Sequence, residues 1–199
     1  MEKMNYYDDY VKSGRYTNDV LFTHFSNVFH ELNGKVWGII GMGTIGRRVA
    51  EIARLFGCRV IYYSTTGKNN QPDYERVEWE VLLEESDIIS VHAPLTDQTL
   101  NLVDAKAFAR MKPTSIFINV GRGPIVVEQD LFEALEKGEI AAAGLDVLCK
   151  EPMSAENPLA KIQDSNKLVI TPHIAWASVE ARTRLMQIIE GQVREFFAE

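Results

Sequence analysis

Apolar residues in this chain gather into six short runs: Val36–Ile40, Arg59–Tyr63, Asp87–Val91, Ser115–Val120, Ile140–Leu145 and Lys167–Ile170. Each is apolar almost without alternation, as strands covered on both faces are. Between them the period changes to that of a helix. Val49, Ile52, Ala53 and Phe56 share one face, with Gly57 placed to stop the helix. Glu78–Glu85 carries Val81, Leu82 and Leu83, and Asp104–Met111 reads as a further helix. In Glu128–Lys137, Leu131, Ala134 and Leu135 align and Gly138 follows as the stop. A last helix runs from about Ser178 to Phe197, with Ser178 as its N-cap and Glu180 in its first turn. Strand-like runs alternating with helices predict an α/β fold, a Rossmann-type doubly wound parallel sheet in one domain over residues 34–199.

Residues 1–33 do not share this rhythm. Tyr6, Tyr7, Tyr10 and Val11 define a short amphipathic helix that Gly14 would end. From Arg15 to Asn33, Phe22, Phe25, Val28, Phe29 and Leu32 follow no clean period. So much apolar and aromatic surface predicts an arm packed on something, either a second subunit or its own domain.

The first run breaks into Gly41-Met42-Gly43-Thr44-Ile45-Gly46 and passes at once into a helix. Strand, glycine turn and helix together are the setting in which G-x-G-x-x-G means a dinucleotide site. Gly41 would permit the tight turn, Gly43 the approach of a pyrophosphate, and Gly46 close packing of helix on strand. The N–H groups of Thr44 and Ile45 would face the phosphates.

Composition narrows the function class. The 199 residues are 46% apolar and 25% charged, enough for a sizeable core. A net charge of −7 with no basic run makes nucleic acid and anionic membrane poor partners. Cys58 and Cys149 form no metal-type pair and read as free thiols in a reducing compartment, which makes the cytoplasm the default location. His24 and His30 have no companions at metal-ligand spacing, so no metal site is expected.

Ligands of such sheets lie beyond the carboxyl ends of the strands. The runs end in Ser64-Thr65-Thr66, His92-Ala93-Pro94, Gly121-Arg122-Gly123, Asp146 and Thr171-Pro172-His173. Singly, Arg122 could be a surface arginine, Asp146 a loop cap and His173 a structural histidine. Together they make a reaction. A guanidinium grips a carboxylate through two bonds, and an imidazole exchanges a proton with an alcohol/ketone pair. A carboxylate such as Glu151 would hold its tautomer, a pairing that spacing permits and does not require. With a nicotinamide as hydride donor, the set would interconvert 2-oxo and 2-hydroxy acids.

The runs GIIGMGTIGRRVA, VHAPLT, INVGRGPIVVEQDLFEAL, AGLDVLCKEP and TPHIAW resemble the D-isomer-specific 2-hydroxyacid dehydrogenases, near glycerate dehydrogenase (hydroxypyruvate reductase). The resemblance implies that Arg122 holds the substrate carboxylate, His173 is the acid/base and Glu151 supports it. It places Asp146 near the nicotinamide carboxamide and has the Thr44-Ile45 backbone hold the pyrophosphate. His92, Ala93, Pro94 and Val120 would line the cofactor cleft, with Ala175 beside them in TPHIAW. Trp176 would shape the substrate pocket. The family pairs through its cofactor domains, so a homodimer is expected, with the arm as contact.

Two departures qualify that picture. Enzymes of the family are longer, and this chain resembles their cofactor-binding part without the substrate domain. It is therefore expected to bind cofactor and to turn over poorly by itself. At the end of the second run, NAD-using members carry an acidic residue for the ribose hydroxyls. Here Ser64 and Thr65 take that place, followed by Thr66, Gly67 and Lys68. Hydroxyls and a lysine would tolerate a 2′-phosphate, so the cofactor is read as NAD or NADP. The competing reading is a dinucleotide-sensing interaction protein of the corepressor type, built on the same fold.

Overall fold

A computed structural model describes residues 4–198. The strands are β1 (Val36–Ile40), β2 (Arg59–Tyr63), β3 (Glu75–Arg76), β4 (Ile88–Val91), β5 (Ile116–Asn119), β6 (Ala142–Leu145) and β7 (Leu168–Ile170). The helices are α1 (Met4–Lys12), α2 (Thr44–Leu55), α3 (Trp79–Glu85), α4 (Ala105–Arg110), α5 (Glu128–Lys137) and α6 (Val179–Phe196). All strand pairs are parallel, in the order β3-β2-β1-β4-β5-β6-β7. The sheet grows outward from β1 in one direction through β3, then resumes on the other side at β4. The switch point lies between β1 and β4, where a doubly wound sheet opens its ligand crevice.

Successive residues of a strand face opposite sides, and β1 shows what each side buries. Ile39 packs with Ala50 and Ala53 of α2 and with Tyr62. Ile40 joins the larger core of Leu82, Leu83, Ile89, Phe108, Phe117 and Leu131. The buried face of α2 consists of Gly46, Ala50 and Ala53, so the helix axis can come close to the sheet. Caps fall where the residue types predict. Asp104 accepts from the Ala107 N–H at 2.9 Å, Ser178 caps α6, and Gly138 ends α5 at φ +72°.

The six expected strands are present, β1 and β2 with the expected bounds and the other four trimmed by a residue or two at their ends, and a seventh is not among those expected. β3 consists of two exposed charged residues, so no apolar run announces it; it pairs Glu75 with Ile61 and Arg76 with Tyr62. A short charged edge is also what protects an open sheet from further pairing.

Residues 1–3 of the expected arm lie outside the described residues. The remainder of the arm folds back over the amino ends of the strands. Its inner side is an aromatic stack, with the His24 ring 3.8 Å from that of Tyr10 and Arg15 over the Tyr10 face. Phe22 and Phe25 remain 90% and 77% exposed. α6 is uncovered: none of its residues is buried.

Candidate active site

The glycine turn after β1 is shaped by what its residues lack. Gly41 has φ +92°, and a Cβ there would lie 2.8 Å from the Ala93 amide nitrogen. A Cβ on Gly46 would lie 2.3 Å from the Gly41 carbonyl oxygen. Gly41 and Gly46 are therefore close-contact positions, as their spacing predicts. Gly43 differs: a Cβ there would meet nothing within 4 Å, and Gly43, Thr44 and Ile45 are all exposed. Gly43 is the N-cap of α2 and no side chain caps the helix, so its first N–H groups face open space at the switch point. Bare backbone, an uncapped helix and room beside Gly43 fit a dinucleotide pyrophosphate.

The loop after β2 arranges the next candidates unequally. Ser64 is 4% exposed, and its hydroxyl accepts from the Asn69 N–H at 3.3 Å. It is turned into the loop rather than outward to a ribose, while Thr65 is half-buried and Thr66 exposed. Asn69 Nδ2 in turn donates to the Met42 carbonyl at 2.6 Å, tying this loop to the glycine turn. Arg76 Nη1 donates to the Gly67 carbonyl at 3.0 Å, which brings a second cation beside Lys68.

On the other side of the switch point, Ala93 is buried against Gly41, and Pro94 is exposed. The ring of His92 is largely enclosed, with Nε2 3.0 Å from Ser90 Oγ, which also accepts from the Trp37 indole N–H at 2.8 Å. Burial pushes the His92 pKa down to about 4. It is neutral near pH 7, with its ring held by Ser90.

Adjacent strands lie roughly 5 Å apart, so the ends of β5, β6 and β7 present neighbouring groups. Arg122 follows β5, Asp146 follows β6 and His173 follows β7. Val120, half-buried, leads into the Arg122 turn. Asn119 grips that turn at both ends: Nδ2 donates to the Arg122 carbonyl and Oδ1 accepts from the Gly121 N–H, both at 3.0 Å. The Arg122 side chain is exposed, with Nη1 donating to the Gly121 carbonyl at 2.8 Å.

Asp146 is 5% exposed and is absorbed in shaping the next turn. Its Oδ1 accepts from the Thr171 hydroxyl at 2.5 Å and the Ile174 N–H at 2.9 Å, and its Oδ2 from the Ala175 N–H at 2.9 Å. Burial alone would raise the Asp146 pKa, but the Thr171 hydroxyl and the two amides outweigh it and hold it low. This turn keeps His173 at φ +54°, a left-handed conformation costly for a residue with a Cβ. The carboxylate that the resemblance sets near the nicotinamide carboxamide thus has a structural duty, and the Ala175 N–H is one of the groups it holds.

The pairing that spacing merely permitted is made. Glu151 Oε2 lies 2.7 Å from His173 Nδ1, and Glu151 Oε1 accepts from the Leu148 N–H at 2.8 Å. Bonding to the imidazole, and next to the Leu148 amide, holds the Glu151 carboxyl below its ordinary range. With Nδ1 occupied, Nε2 is the ring nitrogen left to exchange a proton. Trp176, 50% exposed, follows three residues later. Sequence reasoning missed Asn119, Glu128 and Asn157, which bond to turns, and the Asp146 bond of Thr171. Only Asn119, before a glycine-rich turn, carried a recognisable signal.

Residues 1–175 match the family model for the D-isomer specific 2-hydroxyacid dehydrogenase, NAD binding domain. The chain belongs to this family. The domain is 39% identical over 196 residues to the hydroxypyruvate reductase of Blautia hydrogenotrophica, covering 97% of this chain and 60% of that one. Among solved structures it is similar to the D-lactate dehydrogenase of Aquifex aeolicus, complexed with NAD and lactic acid. There the TM-score is 0.87 at 27% identity, over 98% of this chain and 61% of that one. It is also similar to an acyclic imino acid reductase, Bsp5, in complex with NADPH and D-Arg, with a TM-score of 0.85 at 32% identity. That match covers 98% of this chain and 60% of the reductase. The NAD-binding domain thus spans about 60% of the length of these relatives. They are reductases and dehydrogenases, and a corepressor-type function is not favoured.

Proposed function

We propose that this NAD-binding domain forms the cofactor and proton-transfer half of an enzyme interconverting a 2-oxo acid and its D-2-hydroxy acid, of the hydroxypyruvate/glycerate type. The observation that carries the reading is the 2.7 Å Glu151–His173 pair at the same sheet edge as Arg122. The exposed backbone of Gly43, Thr44 and Ile45 binds the pyrophosphate. Arg122 holds the substrate carboxylate. His173 donates a proton from Nε2 to the carbonyl oxygen during reduction and recovers it from the hydroxyl in reverse. Glu151 keeps the imidazole oriented by bonding Nδ1. Bound reduced nicotinamide supplies the hydride. His92, Ala93, Pro94 and Val120 wall the cleft.

Both NADH and NADPH are accepted in this reading, because β2 ends without a carboxylate and Thr65, Thr66, Lys68 and Arg76 surround the place of the 2′-substituent. The aromatic arm supports a homodimer. It leaves a cavity of about 650 Å³ against the amino edge of the sheet, lined by Phe29, Leu32, Ile116 and Val169, and exposes Phe22 and Phe25. Light scattering giving a single 22.5 kDa species would remove the dimer. Two unpaired thiols suit a reducing, cytoplasmic setting.

The decisive experiment assays hydroxypyruvate with both reduced cofactors in the enzyme carrying this domain. Arg122→Ala and His173→Ala should each lower kcat/KM by about a hundredfold or more, with cofactor Kd little changed. Turnover surviving both substitutions would overturn the assignment.

A further inference from the structure

The Leu148–Cys149 peptide lies between the two halves of the reactive edge and touches both. The Leu148 N–H, of the peptide unit just before it, bonds Glu151 Oε1, the carboxylate that holds His173. On its other side is Gly123, directly after Arg122: a Cβ there would lie 2.0 Å from the Leu148 carbonyl carbon and 2.5 Å from the Cys149 nitrogen. The peptide thus rests against the Arg122 turn and supports the His173 pair. What fixes the peptide itself is Glu128, in the first turn of α5. Glu128 Oε1 accepts from the Cys149 N–H at 2.7 Å, and Oε2 accepts from Asn157 Nδ2 at 2.8 Å. Asn157 is buried, and its Oδ1 accepts from the Leu159 N–H at 3.0 Å, anchoring the far end of the loop.

We propose that Glu128 is a positioning residue for the reaction: by pinning the Leu148–Cys149 peptide it sets Glu151 against His173 and keeps their pair in register with Arg122. A carboxylate suits this place because it accepts two bonds at once, from a backbone amide and from a side-chain amide across the loop, while the α5 N-terminus favours its charge. Alanine leaves both donors without a partner. Glutamine offers one acceptor oxygen and meets the Asn157 amide with a donor. The inference rests on the proposed roles of Arg122 and the Glu151–His173 pair.

The test is the tautomer of the neutral His173 ring, read by long-range proton–nitrogen NMR on this chain, with the Cys149 amide as local reporter. In the unmodified chain the Nδ1–H form should dominate, held by Glu151. Glu128→Ala should reduce the ratio of Nδ1–H to Nε2–H by about threefold or more, and Glu128→Gln by less. A Cys149 amide that shifts while the His173 tautomer ratio stays put would overturn the proposal. Should Glu128→Ala fail to fold, the Glu128→Gln chain is judged by the same criterion. Neither readout involves turnover, so a domain inactive toward 2-oxo acids still decides the question.

Discussion

The two halves of the sheet's carboxyl edge are built by opposite means. Around β1 and β4 the form comes from missing side chains: Gly41 against Ala93, Gly46 against Gly41, and Gly43 open to solvent. Around β5, β6 and β7 it comes from polar side chains bonding to turns, namely Asn119, Asp146, Glu151 and Glu128. A pyrophosphate is gripped by backbone N–H groups, which need nothing between themselves and the ligand. A proton donor must instead be held at one angle, and that takes bonds from outside its own turn. The cofactor half should therefore fail when atoms are added, and the reactive half, the Gly123–Leu148 contact apart, when atoms are removed.

Adding one methyl group to the cofactor half should have the largest effect. Gly41→Ala forces a Cβ into a φ of +92° and to within 2.8 Å of the Ala93 backbone. Strain and clash together should cost about 3 kcal/mol or more, a fall in Tm of roughly 6–12 °C, and abolish NADH binding. The same substitution at Gly43 meets nothing within 4 Å, so the fold should tolerate it while cofactor affinity falls. Equal Tm losses at the two positions, by calorimetry, would erase the distinction.

Removing an acceptor from the reactive half comes next. Asp146→Asn keeps one carbonyl oxygen where two carboxylate oxygens now accept three bonds, and should cost about 2 kcal/mol while leaving NADH affinity within about threefold. The pH dependence gives a sharper sign. The folded Asp146 pKa is depressed, so its stabilisation is present above the unfolded value, about 3.9, and is lost as pH falls through the lower folded value. Asp146→Asn should therefore flatten the decline of stability below about pH 4. Denaturant melts of both proteins from pH 6 to pH 3 would show it, and parallel curves would mean that Asp146 is not held low.

The same contrast explains what the amino-acid sequence revealed. A motif made of absences is read locally: Gly41, Gly43 and Gly46 fall at fixed spacing between a strand and a helix, and the structure gives Gly41 and Gly46 the packing expected of them. The strands were readable for a related reason, because burial on both faces writes itself as an apolar run. The bonds that hold the reactive half leave no such trace. Glu128 reaches Cys149 across 21 residues and Asn157 across 29, and nothing periodic links them. Ser64 stands where a ribose ligand is expected, yet its direction is set by the Asn69 amide five residues later. β3 carries no apolar signal because both of its residues are charged and exposed, bonding through the backbone ladder and surface polar contacts rather than burying a side chain. Asp146 and His173 were legible as residue types at strand ends. That one carboxylate fixes the turn of the other residue follows only once β6 and β7 lie side by side.

The smallest effect probes the joint that carries the reactive half. Partial enclosure of its sulfur, in a residue exposed overall, and after it the nearby Glu128 charge push the Cys149 thiol up to about 11. Thiolate is the nucleophile in alkylation, so this cysteine should react slowly even at alkaline pH. Glu128→Gln removes the charge, and any loosening of the loop removes burial, so both changes lower the pKa and raise the rate. At pH 9 the alkylation of Cys149 by iodoacetamide should quicken by roughly twofold to threefold. Cys58, raised chiefly by its own burial beside Asp87, is the internal reference and should keep its rate. Mass spectrometry of the two cysteine peptides separates the sites. An unchanged Cys149 rate would mean that the carboxylate of α5 does not reach the Cys149 loop in solution, and the reactive half would lose the anchor assigned to it.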